Sequence, residues 1–130
     1  MKFLTTWGPL VLWAALMLAV SSIPNLRPPA FLEGCDPFFH LAEFAVFGLL
    51  FYRSLRLQGL GNGRSWLLVL AASAAMAAVN EIHKLLVPGR HTSVIDFITD
   101  LFGALAGLGL VQAGCGRKCH EQIPGDQGNV

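Results

Sequence analysis

Four stretches of this chain are too apolar and too long to be surface helices of a small water-soluble fold. They run approximately over residues 4–23, 37–57, 65–87 and 94–113. A helix needs roughly 20 residues to cross about 30 Å of hydrocarbon, and each stretch supplies that length. The chain has 130 residues, 54% of them hydrophobic and 13% charged, with a mean hydropathy of +0.56. So few charges cannot cover a core of that size in water, whereas a bilayer removes the requirement. The expected fold is all-α, an integral membrane four-helix bundle with antiparallel, up-down topology.

Turn residues punctuate the stretches where helices should stop. "PNLRPPAFLEG" separates the first pair, "QGLGNGR" the second and "PGRHTS" the third. The bundle is expected over residues 1–113, with residues 114–130 a disordered cytoplasmic tail. The first stretch has a rival reading as a cleaved signal peptide. Its run is nearer 20 residues than the usual apolar region of such peptides, and it holds Pro9 and two tryptophans, so a retained helix is expected. Trp7, Trp13 and Trp66 read as interfacial anchors.

Lysine and arginine placement gives the orientation. Lys2, Arg53, Arg56, Arg64, Arg117 and Lys118 would share one side, and Arg27, Lys84 and Arg90 the other. Both termini are therefore expected in the cytoplasm, in the plasma membrane of a bacterium. A formal charge of +1 with no basic run argues against nucleic acid as a partner. Cys35, Cys115 and Cys119 are expected to be free thiols, because the first lies across the membrane from the other two.

The scarce charges are not spread evenly. "NEIHKLLVPGRHTSVIDFITD", residues 80–100, holds Glu81, Lys84, Arg90, Asp96 and Asp100 beside His83 and His91. Depth explains part of this crowding. The unbroken apolar part of the third stretch, Trp66 to Val79, covers only about 21 Å at 1.5 Å per residue. Spanning the slab therefore draws Asn80, Glu81, His83 and Lys84 to its outer boundary. The same reasoning draws in Asp100 on the fourth stretch and His40 and Glu43 on the second. In a four-span bundle these three ends meet in one leaflet.

Helical spacing sharpens the convergence. Asp36, His40 and Glu43 follow i, i+4, i+7, as do Asp96, Asp100 and Gly103. Ser73, Ala77, Asn80 and Lys84 share a face of the third stretch, and Gly103 with Gly107 forms a small-residue pair suited to close helix approach. A charge left unpaired at the bilayer centre costs about 2.5–3.5 kcal/mol on insertion scales. The acids outnumber the bases here, so protonated carboxyls, charged histidines or a bound cation must make up the balance. The sequence leaves these three open.

"SSIPNL", "DPFFHLAEFAVFGLL" and "NEIHKLLVPGRHTSVIDFITDLFGALAG" resemble the VanZ-like family of small bacterial membrane proteins over residues 1–112. The resemblance matches Ser22 and Pro24 in the first loop. It also matches Asp36, His40 and Glu43, and then Glu81, His83, Pro88, Gly89, Arg90, Asp96, Asp100 and Gly103. The chain departs from the family pattern with Pro37 for lysine, Phe44 for tyrosine, Asn80 for an acid and Lys84 for glutamine. The resemblance implies a cell-envelope protein linked to glycopeptide antibiotic resistance, teicoplanin in the founding member's case.

The candidate ligand-binding or polar-cluster residues are Asp36, His40, Glu43, Asn80, Glu81, His83, Lys84, Arg90, Asp96 and Asp100. Binding without turnover is expected, with the lipid bilayer and a lipid-linked cell-wall precursor or glycopeptide as partners, and no cofactor and no metal. The alternative is an interfacial enzyme acting on a lipid-linked head group through His40, Glu43, Glu81 and His83. The bland reading of the cluster is a hydrogen-bonded network that holds three helices in register, and a third class of function is a small transporter, for which the chain is short and shows no inverted repeat. Several roles stay open: Arg90 binding a lipid phosphate or pairing with Asp96 or Asp100, Asp96 as part of a capping box with Ser93, and Lys84 snorkelling to the interface.

Overall fold

The computed structural model describes residues 1–25, 30–32 and 34–120, with backbone only for residues 32 and 115–120. Four α-helices account for most of it: α1 (Lys2–Ser21), α2 (Asp36–Leu57), α3 (Asn62–Leu86) and α4 (Val94–His120). A single 3₁₀ turn, Ala30–Leu32, precedes α2. No strand occurs among the described residues, so the fold is an all-α four-helix bundle. All four helices are long and apolar enough to cross a membrane.

Local chemistry sets the helix ends. Ser22 Oγ donates to the Leu18 carbonyl at 2.7 Å and Pro24 follows, which stops α1. Pro37 falls in the first turn of α2, where its missing N–H costs nothing. Gly59 at φ +83° turns the chain after α2, and α3 begins at Asn62, a turn earlier than the apolar run alone implies. Tyr52 reaches across this turn to donate to the Asn62 side chain. Gly89 at φ +77° makes the turn after α3. α4 continues through His120, past the boundary expected at 113, so the expected tail begins as helix. Residues 121–130 and Arg27 lie outside the described residues.

α2 and α4 pack most closely, and glycine makes this possible. A Cβ added at Gly103 would overlap the Leu41 backbone, and one at Gly107 the Ala45 carbonyl. Gly48 meets the Ala104 backbone in return, at 3.0 Å from an added Cβ to the carbonyl oxygen. Such backbone approach is how helices associate where lipid gives no hydrophobic drive between them. α1 is fastened to α2 by two side-chain hydrogen bonds. Trp13 Nε1 donates to the Glu43 carbonyl at 3.0 Å, and Ser54 Oγ to the Thr6 carbonyl at 2.7 Å. Trp7, Phe51, Phe47 and Phe44 stack through the interior as a run of tilted aromatic pairs.

The tryptophans expected as interfacial anchors also have surroundings of their own within the bundle. Trp13 is a tether between helices, Trp7 packs on Phe51, and the Trp66 indole nitrogen is buried without a hydrogen-bond partner. Outward-facing apolar residues are plentiful on every helix, including Leu12, Val46, Leu67, Leu85, Phe102 and Leu110. Water would penalise that surface and acyl chains would not.

Candidate functional site

Four charged side chains at the junction of α3 and α4 would each be unstable alone in this environment. They survive by facing one another. Lys84 is 2% exposed, with its Nζ 2.6 Å from Glu81 Oε1 and 3.1 Å from Asp96 Oδ2. Lys84 thus stays inside the bundle; the expected snorkel to the interface is replaced by two ion pairs. Glu81 uses its second oxygen to accept the Ser93 backbone N–H at 3.0 Å. A carboxylate from α3 therefore caps the start of α4, where otherwise unpaired N–H groups favour negative charge.

The capping box expected within α4 is accordingly only half present. Ser93 Oγ accepts the Asp96 N–H at 3.5 Å, while the Asp96 carboxylate turns to Lys84. From Asp96 the network continues into α2. His40 lies between two acids, Nε2 3.8 Å from Asp96 Oδ2 and Nδ1 3.1 Å from Asp100 Oδ1. With Asp100 ionised its oxygen can only accept, and Nδ1 then carries the hydrogen. Asp100 is fully buried and its second oxygen, Oδ2, has no hydrogen-bond partner.

The structure thus brings together His40, Glu81, Lys84, Asp96 and Asp100 in one connected set from three helices. Asn80 lies on the same face of α3, 3% exposed, with its Oδ1 also unpartnered. Other candidates stand apart. Asp36 is exposed at the start of α2, and neither it nor the Glu43 carboxylate forms an ion pair among the described residues. His91 is exposed. Arg90 is partly buried at the Pro88-Gly89 turn and pairs with neither Asp96 nor Asp100.

His83 faces away from the set, toward α1. Its Nε2 is 2.7 Å from Ser22 Oγ. That hydroxyl has one hydrogen and gives it to the Leu18 carbonyl at 2.7 Å, so the imidazole N–H is the donor. The first loop is held against the third at a second point, where the Asn25 side chain occupies the space a Cβ on Gly89 would need. The Ser22–His83 contact joins residues 61 positions apart, and nothing in a single sequence signals it. The four residues proposed for an enzyme do not form one group, since His83 bonds Ser22 while His40 and Glu81 belong to the charged set. Among the described residues no three His, Cys, Asp or Glu side chains converge as metal ligands.

Fold and site together define a small multi-pass membrane protein whose helices share a buried charge network at one end. The VanZ/LLP1 family matches residues 5–114, and the chain belongs to it. No curated protein and no solved structure matches the chain significantly.

Proposed function

We propose that this VanZ-like protein acts at the outer face of the bacterial plasma membrane, binding an anionic envelope ligand without turnover. The ligand is the phosphate-bearing head group of a lipid-linked cell-wall precursor, and its sequestration changes susceptibility to teicoplanin-type glycopeptides. Arg90 carries this reading. Among the described residues it is the Lys or Arg at the polar end that has no ion pair, because Lys84 already serves Glu81 and Asp96. A guanidinium is a planar fork that matches phosphate oxygens, and here it stands where α3 has just ended.

The orientation rests on the placement of the basic residues, which favours cytoplasmic termini. Binding is favoured over catalysis by the hydrogen bonding of the serine nearest a histidine. Ser22 spends its proton on Leu18 and receives one from His83, the reverse of what an activated nucleophile needs.

The test compares Arg90→Ala and Arg90→Lys with wild type for teicoplanin susceptibility and membrane abundance. Loss of the phenotype with unchanged abundance, partly kept by lysine, is the expected result. An Arg90→Ala protein with full phenotype removes the proposal. Loss of abundance in both variants would assign Arg90 to folding and likewise overturn it.

A further inference from the structure

One imidazole in the network stands between two carboxyls at different depths. Asp100 on α4 is fully buried, and among the described residues its side chain bonds only to His40 on α2, Oδ1 to Nδ1 at 3.1 Å. The other ring nitrogen, Nε2, lies 3.8 Å from Asp96 Oδ2. Side-chain exposure rises along this line, from 0% at Asp100 through 14% at His40 to 21% at Asp96. The His40 ring is thus the group through which Asp100 meets the polar end.

This pair can hold one proton in two ways. With the proton on Nδ1, His40 is an imidazolium beside an ionised Asp100. With it moved across the 3.1 Å bond to Oδ1, a neutral acid donates to a neutral imidazole whose hydrogen sits on Nε2. The pair as a whole is neutral in both. The unpartnered Asp100 Oδ2 favours the second, since an oxygen left without a donor costs less on a neutral acid than on a carboxylate. Without the proton the pair keeps a negative charge, which is expensive at membrane depth. Nearby charges do not offset it. Lys84 on α3 is taken by Glu81 and Asp96, and His83 is turned to Ser22. Glu43, one turn along α2, and Arg90, at the turn after α3, form no ion pair among the described residues. α1 brings no titratable side chain to this end, its Lys2 being at the other.

We propose that His40 and Asp100 hold one exchangeable proton between them, and that His40 passes it to and from Asp96 at the edge of the network. On release, His40 gives its Nε2 proton to Asp96 Oδ2 and takes the Asp100 proton on Nδ1. Asp96 then hands its proton to water, and Asp100 is left ionised; uptake runs the same steps in reverse. The 3.8 Å gap closes by a small turn of the ring or by one bridging water. His40 adjoins Leu41, whose backbone meets Gly103, so proton loss places a charge at the closest seam of the bundle. The packing of α2 on α4 thereby responds to the pH of the side that Asp96 faces. This assignment stands independently of the head-group reading, since it concerns the interior of the bundle.

The test reconstitutes the full chain in phosphatidylcholine vesicles and follows the infrared C=O stretch of protonated carboxyls as pH is raised. One carboxylic-acid band that is lost in a single step, and that Asp100→Asn removes, is expected. In heavy water that proton should exchange quickly. His40→Asn keeps an amide that can donate to Asp100 but cannot relay a proton. It and Asp96→Asn should each slow the exchange by about a hundredfold, which a merely structural contact would not do. An unchanged rate in either variant overturns the relay. So does the absence of any band removed by Asp100→Asn at every pH where the helices persist. Should Asp100→Asn fail to fold, carbon-13 aspartate in the wild type decides. The band shifts if an aspartate holds the proton, and a band that stays in place assigns it to a glutamate such as Glu43 and overturns the proposal.

Discussion

Replacing Lys84 with methionine keeps the length and apolar stem of the side chain and removes only the ammonium. Glu81 and Asp96 would then face each other with no cation between them, 12% and 21% exposed as side chains. Removing one partner of a buried ion pair costs about 3–5 kcal/mol, because the remaining charge keeps its desolvation penalty. The lower end applies here. Glu81 retains the Ser93 N–H, and Asp96 retains His40 at 3.8 Å. A loss of about 3 kcal/mol in a chain of this size corresponds to roughly 10 °C in Tm. Adding Glu81→Gln to Lys84→Met should recover about 1 kcal/mol, since one stranded charge is gone; the two changes should therefore not add. Thermal unfolding of the purified protein, followed by intrinsic tryptophan fluorescence, measures this. A Lys84→Met protein within 2 °C or so of wild type would refute the view that Lys84 neutralises the junction of α3 and α4.

Three further outcomes follow from the packing. Gly107→Ala places a Cβ against the Ala45 carbonyl and should lower Tm by several degrees, whereas Gly109→Ala, with open space around it, should leave Tm within about 1 °C; the pair is compared by thermal unfolding. Trp13→Phe deletes the hydrogen bond to the Glu43 carbonyl and should cost about 1 kcal/mol, read as a lowered denaturation midpoint. Gly89→Ala forces a Cβ onto a left-handed turn and into the Asn25 side chain, so a loss of about 1–2 kcal/mol is expected from the same assay.

Helix length and turn chemistry made the four helices and the shared end of their polar residues legible in advance. A run that falls short of the slab must draw its flanking polar groups inward, as in α2, α3 and α4. Length sets depth but not azimuth. Hence Asp36, on the stripe with His40 and Glu43, is exposed one turn above the network, and His83, one position before Lys84, points to Ser22 on another helix. The Gly103–Gly107 pair announced a close approach without naming its partner, which is α2. Lys84 looked free to snorkel because its two acids lie on different helices or turns, and only the folded register brings Asp96 to it. The bond from Trp13 to a backbone carbonyl thirty residues away has no sequence signature. α4 continues through His120 although the stretch from Gly114 onward, short and polar, reads as a tail.

An outer-face role requires the charge network to face the outside of the cell. Its most direct test is labelling of single cysteines in a background lacking Cys35, Cys115 and Cys119. Thr92→Cys lies in the exposed turn between α3 and α4, and Gln58→Cys in the exposed turn between α2 and α3. A membrane-impermeant maleimide added to intact cells should modify the protein carrying Thr92→Cys and reach the one carrying Gln58→Cys only after permeabilisation. The opposite pattern would put the charged end in the cytoplasm and contradict an outer-face role.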